Sequence, residues 1–188
     1  MTLDRRNLLA LRVRVRALVA LSEADPPAEL GDRLLKEAPD RGWGALAHGA
    51  YHVLREERVQ AAVWLKQAES DPDIGTLLTV AALWIAVSRI ASAGRVFAAV
   101  LARDPLNVAA EIGLATAATA RRDFLTAEAG LLRAARQEPG RVAVHLQLAQ
   151  VYARSGRKVE AALAAERAVR LGAPLEIAAM AGAGRLRH

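Results

Sequence analysis

The chain has 188 residues, of which 53% are hydrophobic and 24% charged, so it can bury a core and is not expected to be disordered. It contains no cysteine, which excludes a disulfide framework, thiolate chemistry and lipid attachment through cysteine. Its formal net charge of +6 raises the question of a nucleic-acid partner.

The basic residues are spread along the chain and mixed with acidic ones. Of the 26 basic residues only three are lysines, Lys36, Lys66 and Lys158, and 20 acidic residues lie among them. Abundant Ala and Arg with scarce Lys is also the composition that a GC-rich genome produces without selection for binding. The charge alone is therefore a weak argument for phosphate binding, and no nucleic-acid partner is expected.

The first predicted elements are two helices over residues 3–21 and 28–38, separated by the breaker Ala24-Asp25-Pro26-Pro27. We assign residues 1–39 to N-terminal capping helices. The first of them carries five arginines between Arg5 and Arg16, beside apolar residues at helical spacing: Leu8, Leu11, Val15 and Leu18. We favour packing of this apolar stripe on the first helix pair. Peripheral membrane contact, or an acidic partner, is the alternative for a basic amphipathic helix.

The same arginines bear on localisation. Arg12, Arg14 and Arg16 interrupt the apolar stretch that an export signal would need. No uncharged apolar run approaches the roughly 20 residues that span a bilayer. We therefore expect a cytoplasmic protein.

Residues 40–73 are predicted to form a degenerate helix pair. The apolar positions that indicate its two helices are Trp43, Ala47 and Tyr51, then Ala61, Leu65 and Ala68. Asp71-Pro72 follows the second helix.

Two histidines in the first of these helices are candidate metal ligands. His48 and His52 are four residues apart and share a face, which Glu56 is predicted to continue one turn further on. A structural zinc site needs a fourth ligand, and there is no cysteine to supply it. We expect no metal site and no cofactor.

A period of 34 residues runs through the rest of the chain. It relates Pro105 to Pro139, and it relates the pairs Leu114 and Leu148, Ala115 and Ala149, Ala127 and Ala161, and Ala134 and Ala168. One step earlier, Val80, Ala81, Ala93 and Val100 precede Leu114, Ala115, Ala127 and Ala134 by 34 residues, and Phe97 precedes Leu131 by the same interval. The period predicts three helix pairs, over 74–107, 108–141 and 142–174, each ended by a proline that cannot continue the helix. A capping helix is expected over 175–188.

In this pattern the chain resembles the tetratricopeptide repeat (TPR) family, whose 34-residue motif runs W-x2-L-G-x2-Y, A-x3-F, A and P. The last copy reads Leu148-Ala149-x2-Tyr152, then Gly156, Ala161-x3-Ala165 and Ala168, with Pro174 one place late. The resemblance implies an all-α fold, a right-handed α-solenoid of helix-turn-helix repeats with about 10–11 helices. Because no Ser- or Gly-rich linker occurs, we expect one continuous domain over 1–188.

In that family the first helix of each repeat, helix A, lines a concave groove that holds a peptide or helix of a partner protein. Carried over onto this sequence, the groove residues are Leu78, Ala82, Ile85, Ile112, Thr116, Thr119, Leu146, Gln147, Gln150 and Arg154. Only Arg154 is charged, so the Lys and Asn pattern with which some members grip a chain-terminal carboxylate is absent. A mostly apolar groove suits an amphipathic helix or an extended apolar segment of a partner. The protein's own N-terminal helix or a second copy could equally cover it.

The resemblance thus implies an adaptor, assembly scaffold or chaperone, as in bacterial complexes that recruit subunits through such repeats. The alternative is a helical-repeat RNA binder, but the related 35-residue RNA-reading repeats need polar base-reading residues at fixed helix A positions. The sequence has no G-x-S-x-G, glycine-rich phosphate loop or H-E-x-x-H, so we expect no catalytic residues and no enzymatic activity.

Overall fold

The computed structural model describes residues 28–184, and within them every regular element is a helix. The ten helices in this range are α1 (Ala28–Glu37), α2 (Trp43–Leu54), α3 (Arg58–Ala68), α4 (Ile74–Ala86), α5 (Ile90–Arg103), α6 (Val108–Ala120), α7 (Phe124–Gln137), α8 (Val142–Arg154), α9 (Lys158–Arg170) and α10 (Leu175–Gly182). The predicted all-α fold is confirmed. The basic helix predicted over 3–21 lies outside the described residues, as do residues 185–188 of the predicted C-terminal cap.

Contacts between residues divide the chain into two compact units, Met1–Val96 and Phe97–His188. The expectation of one continuous domain over 1–188 therefore stays a prediction. Four helix pairs fall within the predicted repeat boundaries: α2–α3 in 40–73, α4–α5 in 74–107, α6–α7 in 108–141, and α8–α9 in 142–174.

In the first unit, α1 packs on α2, α2 on α3, and α4 on both α2 and α3. Two glycines of α2 let the first three helices approach closely. A Cβ atom on Gly44 would lie 2.6 Å from Cγ of Leu35 in α1, and one on Gly49 would lie 2.7 Å from Cδ2 of Leu65 in α3. The backbone N of Leu35 also lies 2.8 Å from the Cβ position of Gly44, and Leu65 is fully buried, so neither crossing has room for a larger residue on α2.

A buried aspartate joins two loops of the first unit. The carboxylate of Asp71 accepts hydrogen bonds from the backbone N–H groups of Gly42 and Asp73, both at 2.7 Å, and Nε of Arg41 lies 3.4 Å away. Because the side chain is enclosed, these partners replace the water that the carboxylate would otherwise bind. Asp71 thereby fixes the loop before α2 to the loop after α3.

In the second unit, α6 packs on α7, α8 on both α6 and α7, and α10 on α8 and α9. The core of this unit contains Val108, Ala115, Ala118, Ala127, Leu131, Ala134, Val144, Leu148 and Val151. Ala149 is also fully buried, so both small motif positions of the repeat, 115 and 149, lie inside. Methyl side chains at these positions allow the close helix crossings that the period predicts.

The turns inside the four helix pairs share one backbone conformation. Glu56, Ser88, Arg122 and Gly156 have φ angles of 59°, 63°, 64° and 85°, and the last three follow one another at intervals of 34 residues. After each of them the next N–H donates to the carbonyl five residues back: Glu57 to His52, Arg89 to Trp84, Asp123 to Ala118 and Arg157 to Tyr152. This is the Schellman motif, which favours glycine at the left-handed position. Only one of the four turns, at Gly156, has glycine at that position.

Glycine in two of these turns should therefore stabilise the protein. We expect Ser88→Gly and Arg122→Gly each to raise the free energy of unfolding by about 0.5–1 kcal/mol, since relief of left-handed strain outweighs the entropy that glycine adds to the unfolded chain. Both side chains are exposed. Urea midpoints measure the effect. The reverse change, Gly156→Ala, should lower the free energy of unfolding by about 1 kcal/mol. Lower stability in both Ser88→Gly and Arg122→Gly would contradict the prediction.

Candidate functional site

In the first unit, the predicted groove residues form a strip on α4. Leu78 and Ile85 are half-buried and Ala82 is exposed. Their spacing of four and three residues places them on one helix face. We call Leu78, Ala82 and Ile85 the α4 strip. The strip is apolar and partly accessible.

In the second unit, two of the predicted residues on α6 are not accessible. Thr116 is 5% exposed and Thr119 is 1% exposed. Their hydroxyls donate to carbonyls of the same helix, Thr116 to Ile112 at 2.9 Å and Thr119 to Ala115 at 2.8 Å. The prediction that these threonines line an open groove is wrong, because the small residues of α6 let neighbouring helices enclose it on almost all sides.

One predicted groove residue of α8 is also enclosed. Gln150 is fully buried, within a run from Leu148 to Val151 in which every residue is buried. Four consecutive helical residues cover almost the whole circumference, so α8 is enclosed at this turn. Gln150 is therefore not on an open groove.

The remaining predicted residues of the second unit are at least partly accessible. Ile112 of α6 and Leu146 and Gln147 of α8 are half-buried, and Arg154 is exposed. Ile112 also packs against the core of the unit. Nε of Arg154 donates to the carbonyl of Gly184 at 3.5 Å, so this arginine lies beside the end of α10.

A buried carboxylate that the sequence reasoning missed lies on α6. Glu111 is 5% exposed and accepts two hydrogen bonds from Arg133 of α7, from Nε at 2.9 Å and Nη2 at 3.1 Å. This hydrogen bonding raises the pKa of Arg133 above its usual value. Gly130 leaves room for the carboxylate, because a Cβ there would lie 2.9 Å from Oε2 of Glu111. The pair fixes α6 to α7.

Charged side chains surround Tyr152, the motif tyrosine that the last repeat retains. The guanidinium of Arg157 lies 4.4 Å from the ring centroid of Tyr152 and bonds Glu128 at 2.7 Å and Glu160 at 2.9 Å. Burial raises the pKa of Tyr152, and the hydrogen bond with Glu128 raises it further. This cluster covers the tyrosine rather than forming an open site.

The two histidines of α2 have separate structural partners. His48 is buried, stacks on Trp64 with ring centroids 4.4 Å apart, and places Nε2 3.2 Å from Asp32. His52 shares a 2.6 Å hydrogen bond with Glu57, which lowers the pKa of that carboxyl. Glu56 does not continue the histidine face, because α2 ends at Leu54 and Glu56 lies in the left-handed turn. Across residues 28–184, no group of three or more metal-ligating side chains occurs.

Each helix between Ala28 and Gly182 is too short or too polar to cross a bilayer.

Four successive helix pairs, the last three at 34-residue intervals, have small residues at the crossings and left-handed turns between their helices, and this arrangement defines a TPR-type fold. Solved TPR structures share it. YrrB, described as a TPR protein with an unusual peptide-binding site, superposes with a TM-score of 0.65 over 91% of this chain and 89% of its own, at 12% sequence identity. MamA AMB-1 has a TM-score of 0.65 at 18% identity over 86% of this chain and 96% of its own. MamA MSR-1 has a TM-score of 0.63 at 18% identity, over 89% of this chain and 97% of its own.

No protein-family model matches the chain, and no curated protein sequence does. At identities this low the structural likeness establishes the fold, and function has to be argued from the surface.

Proposed function

We propose that this protein is a non-catalytic interaction module that binds an amphipathic helix or an extended apolar segment of a partner protein, as an adaptor, assembly scaffold or chaperone. The observation that carries the proposal is the α4 strip, whose three side chains are apolar, with Ala82 exposed and Leu78 and Ile85 partly accessible. Binding a helix in such a strip removes apolar surface from water and needs no charge complementarity. The peptide-binding site named for YrrB, which has the same fold, supports the same class of ligand.

The arrangement of charges argues against the RNA-binding alternative. Many arginines of the described chain are already paired with carboxylates: Arg33 with Glu37, Arg41 with Asp71, Arg133 with Glu111, Arg141 with Glu138, Arg157 with Glu128 and Glu160, and Arg170 with Glu166. A paired guanidinium contributes little positive potential for a phosphate backbone to meet. The net charge of +6 therefore overstates the free positive surface.

The decisive variant places a charge in the middle of the α4 strip. Ala82→Glu should weaken partner capture at least tenfold, because a carboxylate buried against an apolar partner costs several kcal/mol. The free protein should keep its stability, since residue 82 is exposed and the new charge stays in water. The measurement is capture from a lysate of the native host, read by mass spectrometry, followed by titration of the purified partner.

Ala91→Glu is the matched control. Ala91 is likewise exposed, but it lies on α5, the second helix of the same pair. This variant should capture the partner as the parent does. Equal capture by both variants would end the assignment to α4. A bound species that proves to be RNA and dissociates steeply with added salt would favour the nucleic-acid alternative instead.

A further inference from the structure

The outward face of α9 carries exposed apolar side chains that no other helix within residues 28–184 covers. Val159 is 71% exposed and Leu163 is 57% exposed, and Ala162 between them is exposed as well. Along one side of this face, α9 and α10 form an open groove of about 400 Å³ whose apolar lining includes Ala165 and Val169. Large apolar side chains grouped at one surface are typical of an interaction site.

Two opposite charges are placed symmetrically on that face. Lys158 precedes Ala162 by four residues and Glu166 follows it by four, so the three residues form one ridge along α9. All three line the groove. Lys158 forms no ion pair within residues 28–184, and Glu166 pairs there with Arg170 of its own helix at 3.1 Å, with both side chains more than half exposed. An exposed pair of this kind contributes little and can be exchanged for another partner.

We propose that this face binds the same face of a second copy of the chain, with the two α9 helices antiparallel about a two-fold axis at Ala162. In this arrangement Lys158 of each copy faces Glu166 of the other, which forms two identical ion pairs. The two Ala162 methyl groups meet at the axis and permit close approach of the helices. Val159 then lies opposite Ala165 of the other copy, so exposed apolar surface on both copies is covered.

The charge order identifies the occupant. The sequence Lys158, Ala162, Glu166 along the ridge is complementary to itself when read in the opposite direction. A two-fold contact requires this property, because the same patch serves both subunits. A parallel alignment would instead place lysine against lysine and glutamate against glutamate. The contact uses no residue of the α4 strip, so it goes beyond the proposed function and can fail independently of it.

Sedimentation velocity over a range of protein concentrations tests the proposal. The parent chain should show a reversible monomer–dimer equilibrium. Lys158→Glu and Glu166→Lys should each raise the dimer dissociation constant at least tenfold, because each converts two ion pairs into two like-charge contacts. An equimolar mixture of the two variants should form a heterodimer, since a chain with two glutamates on the ridge then faces a chain with two lysines.

Arg167→Glu is the matched control, because it makes the same change of charge as Lys158→Glu at an exposed position about 140° around α9 from Ala162. It should leave the dissociation constant unchanged. A parent chain that is monomeric at every concentration overturns the proposal. So does a mixture that associates no more tightly than either variant alone, or an Arg167→Glu variant as impaired as Lys158→Glu. Circular dichroism confirms that each variant stays helical.

Discussion

Replacing Gly113 by valine should destabilise the protein by roughly 2–3 kcal/mol. Gly113 of α6 lies directly against the ring of Phe97, and a Cβ atom there would be 2.2 Å from Cζ and 2.3 Å from Cε1 of that ring. Phe97 is itself 4% exposed, so the ring has no free space into which it can turn. The free energy of unfolding from urea denaturation measures the loss.

Coupling between the two positions makes the test specific. Phe97→Ala alone should cost about 3–5 kcal/mol through the cavity it leaves. Combined with Gly113→Val it should cost clearly less than the sum of the two single changes, because the valine fills part of that cavity. Gly140→Val is the control, since a Cβ at Gly140 meets nothing within 4 Å. Additive costs would show that Phe97 is not what makes glycine necessary.

The second large effect is expected at the buried Glu111. Arg133→Met should cost roughly 2–3 kcal/mol, because it leaves a carboxylate in the interior without its two charged hydrogen bonds. The side chain of Arg133 is 50% exposed and that of Glu111 only 6%, so solvent reaches the arginine end of the pair. The expected loss of stability is therefore at the lower end of the range for breaking a buried ion pair. Thermal and urea denaturation both report it.

Replacing Glu111 should cost less stability than replacing Arg133. Glu111→Gln leaves an arginine that can still reach water, so its cost should stay below about 1 kcal/mol. The double variant with Glu111→Gln and Arg133→Met should be more stable than Arg133→Met alone, because no buried charge then lacks a partner. Equal costs for the two single variants would mean that desolvation of Glu111 does not determine the energetics of the pair.

The 34-residue period allowed the fold to be predicted from the sequence. Small residues such as Ala115 and Ala149 recur where helices cross, and Pro105 and Pro139 follow helices that end two residues earlier. Each of these features acts through local sterics, which depend on residue type and spacing alone. Helix pairs and their approximate bounds could therefore be predicted without coordinates.

The accessible face of each helix could not be predicted in the same way. α6 consists mostly of Ala, Gly and Thr, so no stripe of large apolar residues distinguishes its buried side. The motif position of Thr116 and Thr119 predicts that they line the groove, but it fixes neither the rotation of the helix nor how closely its neighbours approach. Glu111 and Arg133 are 22 positions apart in the sequence, and no local sequence pattern predicts that they pair. The exposure of these side chains depends on tertiary packing, which the local sequence does not determine.

The left-handed turns also bear on the kinetics of folding. Each turn closes through hydrogen bonds between residues only three and five apart, such as Ser88 to Ile85 and Arg89 to Trp84. Ordering so short a segment costs little loop-closure entropy, and chains dominated by local contacts fold in microseconds to milliseconds. The helix pair, rather than the whole chain, is then the natural nucleus of folding. Serine, arginine or glutamate is less stable than glycine at the left-handed position, so we expect these turns to slow the formation of that nucleus.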